Sequence, residues 1–233
     1  MSPQVGAALQ ILEHDLQISR ESLWIQTKFT PLGGQDPKNV PYDENAELKD
    51  QVDQSVQKSL GHLGKIDSLL LHSPLRRFQD TMVVWGRFEA AVDRGDVKQI
   101  GISNCYDVKV FKDLYDKARI KPKVLQNRFY ADSNYDKDLR AFCRNNHVTY
   151  QTFWTLTANK HLLVASKKNA ITDAATRLKA TPEQILFAYL IRAGHQPLTG
   201  TKSPRHMQQD LQAPKLAADL DPTEVAAIDK LFE

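Results

Sequence analysis

The sequence is poor in several features that define other protein classes. It has two cysteines among 233 residues, Cys105 and Cys143, which is typical of a reducing cytoplasm rather than of a disulfide scaffold. No apolar run approaches the roughly 18 residues of a membrane span. The N-terminus lacks the basic flank and apolar core of a signal peptide. We therefore expect a cytoplasmic protein without a membrane partner.

Charge excess and low-complexity segments are also scarce. The net charge is +3 and no basic block is present, so nucleic acid is not an expected partner. Ten glycines and eleven prolines are scattered rather than clustered, which argues against a linker. Neither cysteine stands in a metal-like cluster, so no metal is expected. With 41% hydrophobic residues, the chain is expected to fold as one domain over residues 1–233.

What the sequence does contain is an alternation of short apolar runs with helical patterns. The run that begins at Ile66 and ends at Leu71 is too short for an ordinary helix and has no polar alternation, which predicts a strand buried on both faces. Strands are predicted at 23–29, 66–72, 97–103, 124–129, 148–153 and 196–200. Helices are predicted at 3–17, 47–60, 81–94, 137–145 and 181–193, and also after residue 203 and after residue 221. The segment 104–119 is predicted as a loop followed by a helix, and 159–178 as a helix with a break.

This alternation predicts an α/β protein with a parallel sheet. Six βα units fit a (β/α)8 barrel that lacks its first two strands, and they also fit an open doubly wound sheet. No glycine-rich fingerprint follows any strand, which argues against a dinucleotide-binding Rossmann fold.

Two titratable side chains lie at predicted strand ends, where α/β sheets and barrels carry out chemistry. His72 follows the buried strand, and Lys28 lies near the end of the first strand. Histidine titrates near neutral pH and suits acid–base catalysis, but a strand-end histidine can also simply cap a loop. Lys28 can likewise be an ordinary lysine that reaches solvent. Position alone leaves both interpretations open.

Four stretches of the chain resemble the aldo-keto reductase family. They are Trp24–Lys28, Ile66–Pro74, Gly95–Asn104 and Gly200–Asp210, in the family's order over nearly the whole chain. The resemblance implies a TIM-barrel fold and NAD(P)H-dependent reduction of a small-molecule carbonyl substrate. It also implies that Lys28 and His72 are catalytic.

The same resemblance implies a nicotinamide cofactor, NADP(H) in preference to NAD. Residues matching the family's cofactor-binding positions are Ser103, Asn104 and Gln126 for the nicotinamide carboxamide, Phe153 for stacking, Gly200, Thr201, Lys202 and His206 for the adenosine phosphate, and Gln209 and Asp210 for adenine. The family's usual phosphate-binding lysine aligns with Gly200 and its usual arginine with His206. Lys202 stands nearby as a substitute cation.

Family members carry two strands and a helix before the segment that matches Val5 and Gly6. That part holds the catalytic Asp and Tyr, and Met1 falls just beyond the expected Tyr. The resemblance therefore implies a TIM-type (β/α)8 barrel that is N-terminally truncated to about six βα units. Exposed edge strands then favour a homo-oligomer.

Three functions follow as hypotheses. The first is a carbonyl reductase, in which His72 replaces the absent Tyr or an upstream segment supplies it. The second is a non-redox isomerase, dehydratase or cyclase that uses His72 and Lys28 as acid and base. The third is a catalytically dead binding subunit. Tyr42 offers a replacement hydroxyl, although an ordinary loop tyrosine is the favoured interpretation.

Overall fold

The computed structural model describes residues 3–232 and alternates strands with helices along the chain. The strands are β1 (Gln26–Phe29), β2 (Ile66–Leu71), β3 (Val97–Ser103), β4 (Val124–Arg128), β5 (Thr149–Phe153) and β6 (Gln196–Pro197). The helices are α1 (Pro3–His14), α2 (Leu48–Leu63), α3 (Phe78–Asp93), α4 (Val108–Lys117), α5 (Lys137–Asn145), α6 (Thr155–Ala158), α7 (Ala170–Leu178), α8 (Pro182–Arg192), α9 (Pro204–Asp210), α10 (Ala213–Asp219) and α11 (Pro222–Asp229). None of the described helices is long and apolar enough to cross a membrane.

The chain divides into two compact units, Met1–Leu125 and Gln126–Glu233. In the first unit, β1, β2 and β3 are parallel neighbours in chain order. All six residues of β2 are buried, which confirms the predicted burial on both faces. Helices α2 and α3 pack against these strands, and Trp85 of α3 is fully buried and donates its indole N–H to the carbonyl oxygen of Ile120 at 3.0 Å.

The second unit is built around helix α8, most of which is buried. A capping box starts this helix, because the Thr181 hydroxyl accepts from the Gln184 N–H and the Gln184 side chain accepts from the Thr181 N–H. Strands β5 and β6 are parallel. Four rings form the aromatic part of this unit's core, with centroids 4.9–5.5 Å apart in the contacting pairs: Phe129, Tyr135, Tyr189 and Phe232.

Several element boundaries differ from those that the sequence predicts. The first strand begins at Gln26 rather than at residue 23, because the Ile25 N–H donates to the Asp67 carboxylate at 2.8 Å instead of joining a ladder. The sixth strand is limited to Gln196 and Pro197, since proline has no N–H for a ladder. The predicted break within 159–178 is confirmed: a short 3-10 helix at Lys160–Leu162 is separate from α7, which begins at Ala170 after Asn169, whose side chain caps it.

Candidate active site

The first unit brings the ends of three parallel strands to one edge. Lys28 pairs with Leu70 in the β1–β2 register. Leu71 pairs with Ile102 in the β2–β3 register, so His72 and Ser103 follow at the same level. Lys28, His72 and Ser103 therefore lie at the carboxyl edge of neighbouring strands, as the sequence predicts.

His72 is held in place at this edge by three hydrogen bonds. Its backbone N–H donates to the Phe29 carbonyl at 2.9 Å, and its carbonyl accepts from the Asn104 side-chain amide at 2.9 Å. Its ring Nδ1 lies 2.9 Å from the Thr30 hydroxyl. Burial, and then the charge of Lys28, lower the pKa of His72. The imidazole is therefore neutral at pH 7, and within residues 3–232 its Nε2 has no hydrogen-bond partner.

Lys28 is partly buried, and burial lowers its pKa. No salt bridge joins Lys28 to a carboxylate within residues 3–232. A buried ammonium without a counter-ion is costly, so Lys28 releases its proton more readily than an exposed lysine does. The charge of Lys28 also acts on His72, whose pKa it lowers.

Ser103 and Asn104 continue the same edge at the end of β3. Ser103 is buried. Asn104 has a positive φ of 51°, a conformation that asparagine tolerates better than most residues. Its amide nitrogen donates to His72 and lies 3.3 Å from the Ser103 hydroxyl, and its carbonyl oxygen accepts from Tyr106. Asn104 thus positions the His72 backbone, a role that sequence reasoning missed.

Tyr42 is anchored in the core of the first unit. Its hydroxyl donates to the Thr30 carbonyl at 2.8 Å, and its ring packs on Phe29 with centroids 5.6 Å apart. Burial raises the pKa of its phenol. An acid of raised pKa with a committed proton is a poor replacement for a catalytic tyrosine, so the structure favours the ordinary structural interpretation of Tyr42.

In the second unit, Gln126 lies in a chain of side-chain amides across β4, β5 and β6. Its Nε2 donates to the Gln151 oxygen at 2.7 Å, and the Gln151 amide donates to Gln196 at 2.9 Å. Phe153 lies at the end of β5, and the Arg128 guanidinium lies 6.0 Å from its ring centroid. The same guanidinium lies 4.5 Å from the Trp154 ring. Sequence reasoning missed Arg128, which no motif marks.

A cavity of about 570 Å³ in the second unit collects most of the predicted phosphate and adenine positions. The predicted residues that line it are Gly200, Thr201, His206, Gln209 and Asp210. Lys202 is absent from the lining, whereas Arg205 and Lys160 contribute to it. Arg205 directly precedes the predicted residue His206 in the sequence. This adjacency is the sequence feature that could have identified Arg205.

A second cavity of about 350 Å³ is lined by Phe153 and Trp154. Leu156, Thr157, Thr199 and Gly200 line both cavities. The two cavities are therefore adjacent, and we refer to them together as the β5–α9 crevice, with Phe153 in one cavity and Asp210 in the other. Its far wall is braced by Gln184, whose amide donates to the Gln209 carbonyl at 3.0 Å.

The chain matches the model of the Aldo/keto reductase family over residues 4–233. It belongs to the aldo/keto reductase family. It is 27% identical to an uncharacterized oxidoreductase of Schizosaccharomyces pombe over 67% of this chain and 54% of that protein. It is 29% identical to glycerol 2-dehydrogenase (NADP(+)) of Hypocrea jecorina over 57% of this chain and 42% of that protein.

Solved aldo-keto reductase structures share its fold. An aldo-keto reductase crystallised with NADPH superposes with a TM-score of 0.74 at 21% identity, covering 96% of this chain and 68% of that one. The fold is thus α/β of the (β/α)8 barrel type, as predicted, with six βα units within residues 3–232. The chain spans about half the length of the curated relatives it matches.

Proposed function

We propose that this chain binds a nicotinamide dinucleotide and that the protein uses it to reduce a small carbonyl compound. The β5–α9 crevice carries this proposal, because its cavities of about 570 and 350 Å³ match the size of cofactor sites. A Cβ added at Gly200 would meet no atom within 4 Å, so the backbone there leaves open space for a phosphate. The NADPH-bound structure of the same fold supports this proposal.

NADPH is the cofactor we propose ahead of NADH. Lys160 and Arg205 line the phosphate end of the crevice together with His206, and an additional phosphate would gain charge-assisted hydrogen bonds from them. Two carboxylates also line this cavity, Glu183 and Asp210. Asp210 accepts from the Thr199 hydroxyl at 2.7 Å, which holds that carboxylate in a fixed orientation.

The chemistry that we propose for the first unit is proton donation to a carbonyl oxygen. NADPH, when bound, supplies the hydride. The neutral His72 imidazole donates a hydrogen bond that orients the carbonyl oxygen. Lys28 delivers the proton as that oxygen becomes an alkoxide, because its lowered pKa makes it a stronger acid than an ordinary ammonium. The carbonyl thus becomes an alcohol, and one hydride and one proton are consumed.

The same pair also favours a second candidate function. A lysine of lowered pKa beside a neutral histidine can move a proton between two carbons of a substrate without any nucleotide. This would be a non-redox isomerase or dehydratase, with the crevice serving another ligand or none. Measurements of NADPH binding and of NADPH-dependent turnover therefore distinguish the reductase from the non-redox enzyme.

The first experiment measures quenching of protein fluorescence as NADPH is added, with Trp154 as the reporter beside Phe153. We expect Arg205→Gln to weaken NADPH binding about 10-fold, as expected for the loss of one charge-assisted hydrogen bond. Phe153→Ala should weaken NADPH and NADH equally. Lys202→Gln is the matched control, because Lys202 does not line the crevice and its loss should leave binding unchanged.

The second experiment measures oxidation of NADPH with a panel of small aldehydes and ketones. We expect Lys28→Met to lower kcat by at least 100-fold, in the range of general acid catalysis, and to leave NADPH affinity unchanged. His72→Gln should lower kcat and raise KM. Absence of NADPH binding by the unmodified chain would contradict the proposal, and binding without turnover would exclude the reductase in favour of a binding role.

A further inference from the structure

A third cavity of about 250 Å³ lies in the second unit, away from the β5–α9 crevice. Three arginines and a histidine line it, namely Arg140, Arg144, Arg192 and His195. The rest of its lining is Cys143, Val148, Tyr150, Ala193 and Gly194. No carboxylate of the described residues belongs to this lining, so the cavity wall carries positive charge alone. We call it the arginine cavity.

His195 adds a hydrogen-bond donor rather than a fourth charge. Burial, and then the charges of Arg140 and Arg144, lower the pKa of His195 to about 3, so its ring is neutral at pH 7. Its Nε2 lies 3.4 Å from Nη1 of Arg140 and accepts from it, which places the ring proton on Nδ1. Within residues 3–232, Nδ1 has no hydrogen-bond partner.

The three arginines differ in how many contacts their guanidinium groups make with the rest of the protein. Arg140 is buried, donates to the Tyr135 carbonyl at 2.8 Å and lies over the Phe129 ring. Arg144 and Arg192 are exposed and form no salt bridge within residues 3–232. Two guanidiniums at the mouth of the cavity therefore have donors available for a ligand.

Helix ends offset only part of this positive charge. Arg144 and Arg192 lie in the last turns of α5 and α8, whose carboxyl termini each carry about half a negative charge. Three guanidiniums against two helix ends leave a net positive charge on the lining. Two carboxylates outside the lining also interact with these groups: the charge of Arg140 acts to lower the pKa of Asp136, and Asp229 acts to raise the pKa of His195. Asp136 accepts from Asn127 and Tyr150, and Asp229 accepts from Tyr189.

We propose that the arginine cavity binds a small dianion of the phosphate type, either inorganic phosphate or a phosphomonoester. Guanidiniums match phosphate oxygens in a bidentate geometry, and the Nδ1–H of His195 supplies a neutral donor. The volume of about 250 Å³ lies below the roughly 300–1,000 Å³ of drug-sized ligands, which fits a small anion and excludes a dinucleotide. This site does not depend on the proposed reductase activity.

The test follows the melting temperature of the chain as inorganic phosphate is increased at constant ionic strength, with chloride as the balancing anion. A ligand that binds only the folded state raises the melting temperature once its concentration exceeds Kd. We expect the unmodified chain to show this rise. Arg144→Gln and Arg192→Gln should each weaken the apparent affinity about 10-fold, and the double variant should abolish the rise.

Arg76→Gln is the matched control, because Arg76 is exposed and lines neither the arginine cavity nor the β5–α9 crevice. Retention of the phosphate-induced rise in this variant, together with its loss in the double variant, supports the arginine cavity. The opposite pattern, or no rise in the unmodified chain, overturns the proposal. Both substituted arginines are exposed, and the comparison uses the shift in each protein, so a change in basal stability does not obscure it.

Glycerol phosphate in place of inorganic phosphate distinguishes the two sources of the dianion. Tighter binding of glycerol phosphate identifies a phosphomonoester site, and weaker binding identifies a site for free phosphate. Either result requires the same dependence on Arg144 and Arg192.

Discussion

Burial shifts the pKa of individual basic side chains in both units. Lys28 and His72 share an environment in which burial lowers both pKa values, and the charge of Lys28 adds to the effect on His72. In the second unit His195 experiences the same combination more strongly, from burial and from two arginines. In each case burial shifts the pKa of a basic side chain in the direction that favours its neutral form.

His195 should make the stability of the chain depend on pH. Its pKa is about 3 in the folded protein and about 6.5 in an unfolded chain. The unfolded state therefore takes up the proton first, and this stabilisation is present above pH 6.5 and is lost as pH falls toward 3. Near pH 5 we expect the loss to reach about 2 kcal/mol relative to pH 7.5. Urea unfolding at both pH values measures it.

His195→Gln should remove most of that pH dependence, because glutamine does not titrate. His161→Gln is the matched control, since His161 is exposed and its replacement should leave the dependence unchanged. An equal fall in stability for the unmodified chain and for His195→Gln would show that other groups cause it.

At the scale of single elements, the pairing of β3 with its neighbours depends on a glycine. A Cβ added at Gly101 would lie 2.7 Å from a methyl carbon of Leu70 and 2.8 Å from the Cβ of Val124, and closer still to the Val124 carbonyl oxygen. Both neighbours are buried and one contact is backbone. Strand β3 can therefore approach β2 and β4 only because this side chain is absent.

Gly101→Ala should destabilise the chain by about 1–3 kcal/mol, the usual cost of overpacking a core. Gly86→Ala is the matched control. Gly86 lies inside α3 with no atom within 4 Å of an added Cβ, so alanine there should stabilise by about 0.5–1 kcal/mol. Denaturant unfolding of both variants gives the comparison, and a Gly101→Ala protein of unchanged stability would show that β3 moves freely.

The strands and strand-end residues could be predicted because their signals are local. β2 is a continuous apolar run, and a residue that directly follows a parallel strand must lie at the carboxyl edge, which places His72 without any tertiary information. Arg205 and Lys160 could not be found this way. Their contribution to the crevice depends on how α9 and the segment after α6 pack.

Buried polar contacts likewise could not be predicted from the local sequence. The Ile25 N–H donates to the Asp67 carboxylate, and β1 therefore begins at Gln26. These two bonded residues are 42 apart in the sequence. The amide of Gln126 donates to Gln151, a partner that only the strand register selects. The arginine cavity is lined by residues from α5, β5, α8 and the turn after α8. Taken singly, Arg144 and Arg192 are ordinary helix-terminal cations.

At the scale of the whole molecule, the first unit exposes large apolar side chains near its N-terminus. Ile11 of α1 is 54% exposed and Leu16, which follows α1, is 60% exposed. β1 is a terminal strand in the sheet order, and no strand of residues 3–232 pairs with its other edge. An unpaired strand edge together with exposed apolar side chains favours association with a second copy.

We expect this chain to form a homo-oligomer through that surface, with a mass above the monomer value in light scattering. Ile11→Glu combined with Leu16→Glu should shift the mass to the monomer value, because each glutamate would bring a charge into an apolar contact. Leu211→Glu is the matched control: Leu211 is 80% exposed in the second unit, so its replacement should leave the mass unchanged. An oligomer that persists in the double variant would place these two side chains outside the interface. A monomeric unmodified chain would contradict the prediction, and the shortness of β1 would then help to explain why its edge does not associate, since four residues offer few backbone groups to a partner.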